Sequence, residues 1–160
     1  MLNITVICVG KLKEKFYIAA VDEYLKRLKS YCKLDLIELT EARLPSTPSQ
    51  AQIDTALEKE AQVIQGKLPK KARIIAMCIE GTSLSSEELA SQFQRWTISG
   101  VSHLAILIGS SYGLHPSIKK LAALQLSMSP MTFPHHLARV MVLEQIYRAF
   151  KINEGSLYHK

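Results

Sequence analysis

The sequence is poor in most of the features that mark a specialised chain. Its three cysteines, Cys8, Cys32 and Cys78, are widely spaced, with no CxxC pair and no Cys/His cluster. This spacing argues against a disulfide framework or a zinc site, and no metal is expected. Seven glycines and six prolines beside 48% apolar residues exclude collagen-like, low-complexity and disordered classes. No uncharged run approaches the roughly 20 apolar residues of a membrane helix. The apolar start, Met1 to Gly10, lacks a basic stretch before it and has a lysine-rich one after it, an order unsuited to a signal peptide. The chain reads as cytoplasmic. Neither GxGxxG nor GxxxxGK[ST] occurs.

Positive charge is what the chain has in excess. Among its 160 residues, 20 Lys and Arg face 14 Asp and Glu, a net +6. Residues 1–33 hold seven basic residues (Lys11, Lys13, Lys15, Lys26, Arg27, Lys29, Lys33) and three acidic ones, and residues 134–160 hold a surplus of two, whereas the middle is neutral. Charge gathered at two ends suits a polyanion such as nucleic acid, although basic proteins without such a partner are common.

Hydropathy patterning predicts one domain over residues 1–160. Strands are expected at Asn3–Val9, Lys33–Leu39, Arg73–Ile79, Ser102–Ile108 and Gln125–Met128. Helices are expected over 16–31, 51–67, 85–98, 116–124 and 134–152. Ser85 and Glu88 have capping-box spacing. Residues 40–50, with Pro45 and Pro48, form a loop and the best candidate for a mobile segment. Alternating strands and helices imply an α/β fold with a mostly parallel sheet flanked by helices. Cys8 and Cys78, in apolar strands, read as small core residues.

Ligands of open α/β sheets gather at the strands' carboxyl ends. Here these are Gly10-Lys11, Glu80-Gly81, Gly109–Gly113 and Ser129–Pro134. Gly109-Ser110-Ser111-Tyr112-Gly113 is either a bare turn or a ligand loop. Met128–His136 is apolar and uncharged, breaks twice at proline, contains two sulfurs and a phenyl ring, and is either a buried connector or the wall of an apolar pocket. On the last helix, Glu144, Gln145, Arg148 and Lys151 form a polar stripe. Arg139 lies opposite, among Leu143, Ile146 and Phe150. Such an arginine is a structural ion pair, a snorkelling side chain or an anion-binding group. The tail Ser156–Lys160 brings together a phenol, an imidazole and an ammonium group. It is either a frayed terminus or a participant in proton transfer or RNA contact.

Six motifs then occur in order: Val9-Gly10-Lys11-Leu12-Lys13, Ile108-Gly109 with Gly113-Leu114, Met131-Thr132-Phe133-Pro134-His135, Arg139-Val140, Glu144-Gln145-Ile146-Tyr147-Arg148-Ala149 and Tyr158-His159-Lys160. With these the chain resembles, along essentially its whole length, the RlmH family of SPOUT-class methyltransferases. The resemblance implies S-adenosyl-L-methionine-dependent methylation of N3 of a pseudouridine, position 1915, in bacterial 23S rRNA. It further implies a homodimer with a C-terminal trefoil knot, the knot and cofactor site falling in about 73–160. By position, cofactor binding falls to Met77, Gly109, Met128, Ser129, Pro130, Met131, Thr132 and Phe133. His135, Arg139, Tyr158 and His159 are the expected catalytic residues, and Lys11, Lys13, Arg139 and Lys160 the expected RNA contacts. The tail of one subunit is expected to complete the other's site.

Two departures from the family pattern stand out. Met77 replaces the usual Leu, and Ser110 replaces the second glycine of Ile-Gly-Gly, which adds a Cβ and removes easy access to positive φ. A chain so short has little surface for sequence readout, so an assembled subunit or ribosome is the expected substrate. A non-catalytic RNA- or ribosome-binding module on the same fold is the competing reading.

Overall fold

A computed structural model describes residues 1–160. In chain order the elements are β1 (Leu2–Val9), α1 (Lys15–Leu28), β2 (Cys32–Leu39), α2 (Gln50–Lys67), β3 (Arg73–Ser83), α3 (Ser86–Ile98), β4 (His103–Ile108), α4 (Pro116–Lys119), β5 (Leu124–Ser127) and α5 (His135–Asn153). Both long middle helices begin at capping boxes. Ser49 and Gln52 close one, and Ser85 and Glu88 the other at 3.1 and 2.7 Å.

The sheet is parallel throughout, in the order β2-β1-β4-β3-β5. Its handedness places the helices. The steps β1→β2 and β3→β4 run one way across the sheet, and β2→β3 and β4→β5 the other. Right-handed crossovers therefore put α1 and α3 on one face and α2 and α4 on the opposite face. Accordingly α5 packs between α1 and α3, while α2 meets α4. Strand periodicity serves both faces. Ile4, Val6 and Cys8 of β1 join Val21, Phe93, Leu143 and Ile146 in one core, and Ile7 and Val9 join Ile64, Leu114 and Ile118 in the other. Each such side chain contributes about 1.5–3 kcal/mol by burial. The buried thiols of Cys8 and Cys32 are both pushed up to about 12 by desolvation. Cys78, read as core, is only half-buried.

The expected elements are all present, with two changes. The helix from Pro116 ends at Lys119 rather than near 124, because the chain turns to join the sheet and Ala123 donates to the Ile74 carbonyl at 2.8 Å. The third strand does not close at Glu80-Gly81. It leaves register after Met77 and rejoins β5 at Thr82 and Ser83, so Met77 and Thr82 both face Leu126. Gly81 makes this possible, since a Cβ there would strike the Gln125 carbonyl. Residues 78–81 consequently bulge off the sheet edge.

Candidate functional site

The loop after β4 leads to α4 on one face, whereas those after β1 and β3, its neighbours in the sheet, lead to α1 and α3 on the other. Loops diverging from adjacent strands leave a crevice at the carboxyl edge. A cavity of about 640 Å³ occupies this place, lined by the β3 bulge, the turn after β4 and the segment Met128–His135.

Each wall has a local cause. After β4, Gly109 lies so close to Gly113 that a Cβ would overlap its carbonyl. Gly113, at φ +84°, returns the chain and donates to the Ser110 carbonyl at 2.9 Å. Ser110 is buried and needs no positive φ, so the added Cβ is accommodated and the turn survives the loss of the second glycine. On the second wall, Met77 and Cys78 face the cavity, and the bulge is braced by an ion pair between Glu80 and Lys119. The third wall is held by small hydrogen bonds. Ser127 Oγ donates to the Ser129 carbonyl at 3.2 Å, and the Met131 N–H donates to Ser129 Oγ at 3.0 Å. Of the two readings of this segment, pocket wall is the one observed. Met128, Ser129, Met131, Thr132 and Phe133 all line the cavity, and Met131 is otherwise exposed. Pro130 is exposed beside them and does not line it.

His135, the first residue of α5, stands at the end of this wall. Its ring lies over Gly10, 3.3 Å from the point a Cβ there would occupy, and its centroid is 4.2 Å from that of His136. Nε2 is buried without a hydrogen-bond partner. Burial, followed by the neighbouring His136, holds the imidazole below its ordinary pKa and so favours the neutral ring.

Arg139 requires a correction. The structure leaves no part of it exposed, and its Nη1 and Nη2 donate to Glu38 Oε2 at 2.6 Å and the Gly10 carbonyl at 2.9 Å. The expected phosphate contact does not fit this burial; the ion pair is what the helix face was signalling. Lys11, Lys13 and Lys160 are exposed and without ion-pair partners.

The tail is anchored. Tyr158 Oη donates to Glu144 Oε1 at 3.1 Å, and its ring lies 4.7 Å from the Arg148 guanidinium and meets Tyr147 edge-on. His159 bridges Arg148 at 3.1 Å and Glu87 at 2.7 Å. Desolvation and the Glu144 carboxylate raise the Tyr158 phenol. Neither residue lines the cavity of its own chain. His135 and the tail are thus not brought together within one protomer.

Glu38 and Glu60 were not identified from the sequence. Glu38 carried one weak signal, an outward position at the end of β2; Glu60, buried on α2, carried none. Its Oε2 accepts from the Ala42 N–H at 2.9 Å and its Oε1 has no partner. A separate hollow of about 620 Å³ lies between residues 42–45, in the loop after β2, and α2.

A family model described as predicted SPOUT methyltransferase matches residues 2–159. Proteins called ribosomal RNA large subunit methyltransferase H from Bifidobacterium animalis subsp. lactis and Clostridium novyi are each 46% identical over 159 residues, spanning 99% of this chain and all of theirs. The protein of that name from Clostridioides difficile is 43% identical over the same span. The chain belongs to the RlmH family of SPOUT methyltransferases. RlmH-family membership accords with the fold: a probable methylase family protein from Haemophilus influenzae superposes with a TM-score of 0.52 at 14% identity, covering 99% of this chain and 70% of that one. SPOUT enzymes as a class use S-adenosylmethionine, and the cavity fits it. Its volume lies within the roughly 300–1,000 Å³ of small-ligand pockets. Thioether and phenyl groups suit an adenine and an alkyl sulfonium, and Ser129 and the Gly109–Gly113 turn supply polar atoms.

Proposed function

We propose that this RlmH-family protein methylates N3 of a pseudouridine in 23S large-subunit rRNA, using S-adenosyl-L-methionine, in the cytoplasm and on the assembled ribosome. In this reading it works as a homodimer whose residues 73–160 form a trefoil knot. The observation that carries the proposal is the cavity at the sheet's carboxyl edge, walled by the turn, the bulge and the uncharged segment, with His135 among its lining residues.

Met77, Gly109, Met128, Ser129, Met131, Thr132 and Phe133 hold the cofactor. When bound, it supplies a methyl group on a positively charged sulfur, open to displacement by a nitrogen nucleophile. The apolar walls exclude water from the site, and their fixed geometry aligns the two reactants. N3 of pseudouridine carries a proton near neutrality, so the chain must accept it. His135, a residue of the cavity lining, does so through its imidazole. Tyr158 and His159 of the second protomer's tail close the site over the base, and Lys11, Lys13 and Lys160 contact phosphates.

The test uses ribosomes from a strain lacking this gene, incubated with the protein and methyl-labelled cofactor. Label at N3 of a single 23S pseudouridine is expected. Saturable ribosome binding with no methyl transfer and no heat on titrating S-adenosylhomocysteine would replace the proposal with the non-catalytic module.

A further inference from the structure

Glu38, Arg139 and the turn after β1 form a node that the mechanism above does not use. Every backbone polar group tied in that turn has a designated partner. Gly10 N–H donates to the Leu39 carbonyl at 2.7 Å, the Gly10 carbonyl accepts from Arg139 Nη2 at 2.9 Å, and Leu12 N–H donates to Glu38 Oε2 at 2.9 Å. The same Glu38 oxygen accepts from Arg139 Nη1 at 2.6 Å. One carboxylate therefore holds both the turn and the arginine, and the arginine reaches the turn from α5. Gly10 is at φ +101°, and the His135 ring covers its α-carbon. The two side chains projected by this locked turn, Lys11 and Lys13, are exposed and unpaired.

A fully buried guanidinium balanced by one half-exposed carboxylate is a poor device for stability alone, because apolar residues of equal volume often do as well. Its geometric product is specific: it fixes the turn that carries Lys11 and Lys13, on which His135, a residue of the cavity lining, is packed. Resting on the rRNA-methyltransferase reading, we infer that Glu38 and Arg139 are positioning residues that aim Lys11 and Lys13 at the RNA backbone, without themselves touching RNA or cofactor. Arg139 is not among the residues lining the cavity.

The variants are Glu38→Gln and Arg139→Lys, which keep volume and leave the turn one of its bonds, together with Lys11→Ala/Lys13→Ala and the triple variant that adds Glu38→Gln. Affinity for S-adenosylhomocysteine, KM for the ribosomes, kcat, and the salt dependence of ribosome binding are measured for each. Two lost phosphate contacts flatten the log–log salt slope by about two. The positioning variants are expected to give part of this flattening and to raise KM by about tenfold, with cofactor-product affinity and kcat near wild type. On the lysine-free background, Glu38→Gln should change KM less than about twofold, because the groups it positions are gone. If S-adenosylhomocysteine affinity or kcat falls in step with ribosome binding, if the variants keep the wild-type KM and slope, or if the triple variant shows independent effects, the inference is overturned. Should Arg139→Lys not fold, Glu38→Gln carries the same criteria. A wild-type protein that neither binds nor methylates ribosomes removes the functional reading, and the inference with it. A wild type that does both, beside variants that behave identically, removes the inference alone.

Discussion

Replacing Gly109 by alanine places a methyl group against the backbone of Gly113, overlapping its carbonyl and standing 3.0 Å from the Leu114 nitrogen. No side chain can yield there, so the turn must open. Opening it weakens the Gly113 N–H bond to the Ser110 carbonyl at 2.9 Å, about 1 kcal/mol, and adds overpacking strain of about 1–3 kcal/mol. A total near 3 kcal/mol lowers the melting midpoint of a chain this size by about 6–12 °C. The displaced turn is also a cavity wall, so affinity for S-adenosylhomocysteine should fall at least tenfold, about 1.4 kcal/mol. Gly113→Ala is the control. Nothing lies within 4 Å of its Cβ, and only the strain of φ +84°, about 1–2 kcal/mol, is expected. Calorimetric titration and thermal unfolding of both variants read the difference. A Gly109→Ala protein with wild-type affinity and midpoint would refute the close approach on which the turn depends.

Three further outcomes follow from the same geometry. His135 has a lowered pKa in the fold, so below pH about 6.5 the unfolded chain takes up a proton the native one resists; stability should fall with acidification there, and His135→Gln should flatten that part of the profile in denaturant titrations. Glu60 is raised by burial, so the native state holds its proton above the unfolded value and loses that contribution as pH rises through the native pKa; Glu60→Gln should raise the midpoint at pH 7 and remove this pH dependence. Deleting Tyr158–Lys160, which lies on the surface of α5, should leave the melting midpoint within a few degrees but lower single-turnover methylation by about 100-fold, the scale of losing the alignment of two reactants. An active truncated enzyme would show the tail to be dispensable.

The order and type of every element were legible because each carries a local signal: the β-branched run Asn3–Val9, the capping box at Ser85 and Glu88, the proline before α5. The path of β3 was not, because its bulge is decided by Gly81 meeting the Gln125 carbonyl, a contact between segments 44 residues apart in sequence. Arg139 was conspicuous on an apolar face, yet its partner, Glu38, lies 101 residues away and looks like any polar strand residue. The tail offers the opposite lesson. A free terminus carries no local reason to be ordered, and only the fold supplies Glu144, Arg148 and Glu87 as its anchors. Cys78 misled for a similar reason: an apolar run reads as core until the chain bulges off the sheet.

Of two hollows of nearly equal size, about 640 and 620 Å³, the cofactor belongs in the one walled by the turn after β4. Amide chemical shifts recorded while titrating S-adenosylhomocysteine into the protein test this most directly. Saturable changes are expected at Met77 and Cys78, Gly109–Leu114 and Met128–His135, at one concentration midpoint. Changes centred instead on Ala42–Leu44 and Thr55–Lys59, or no saturable change, would contradict it.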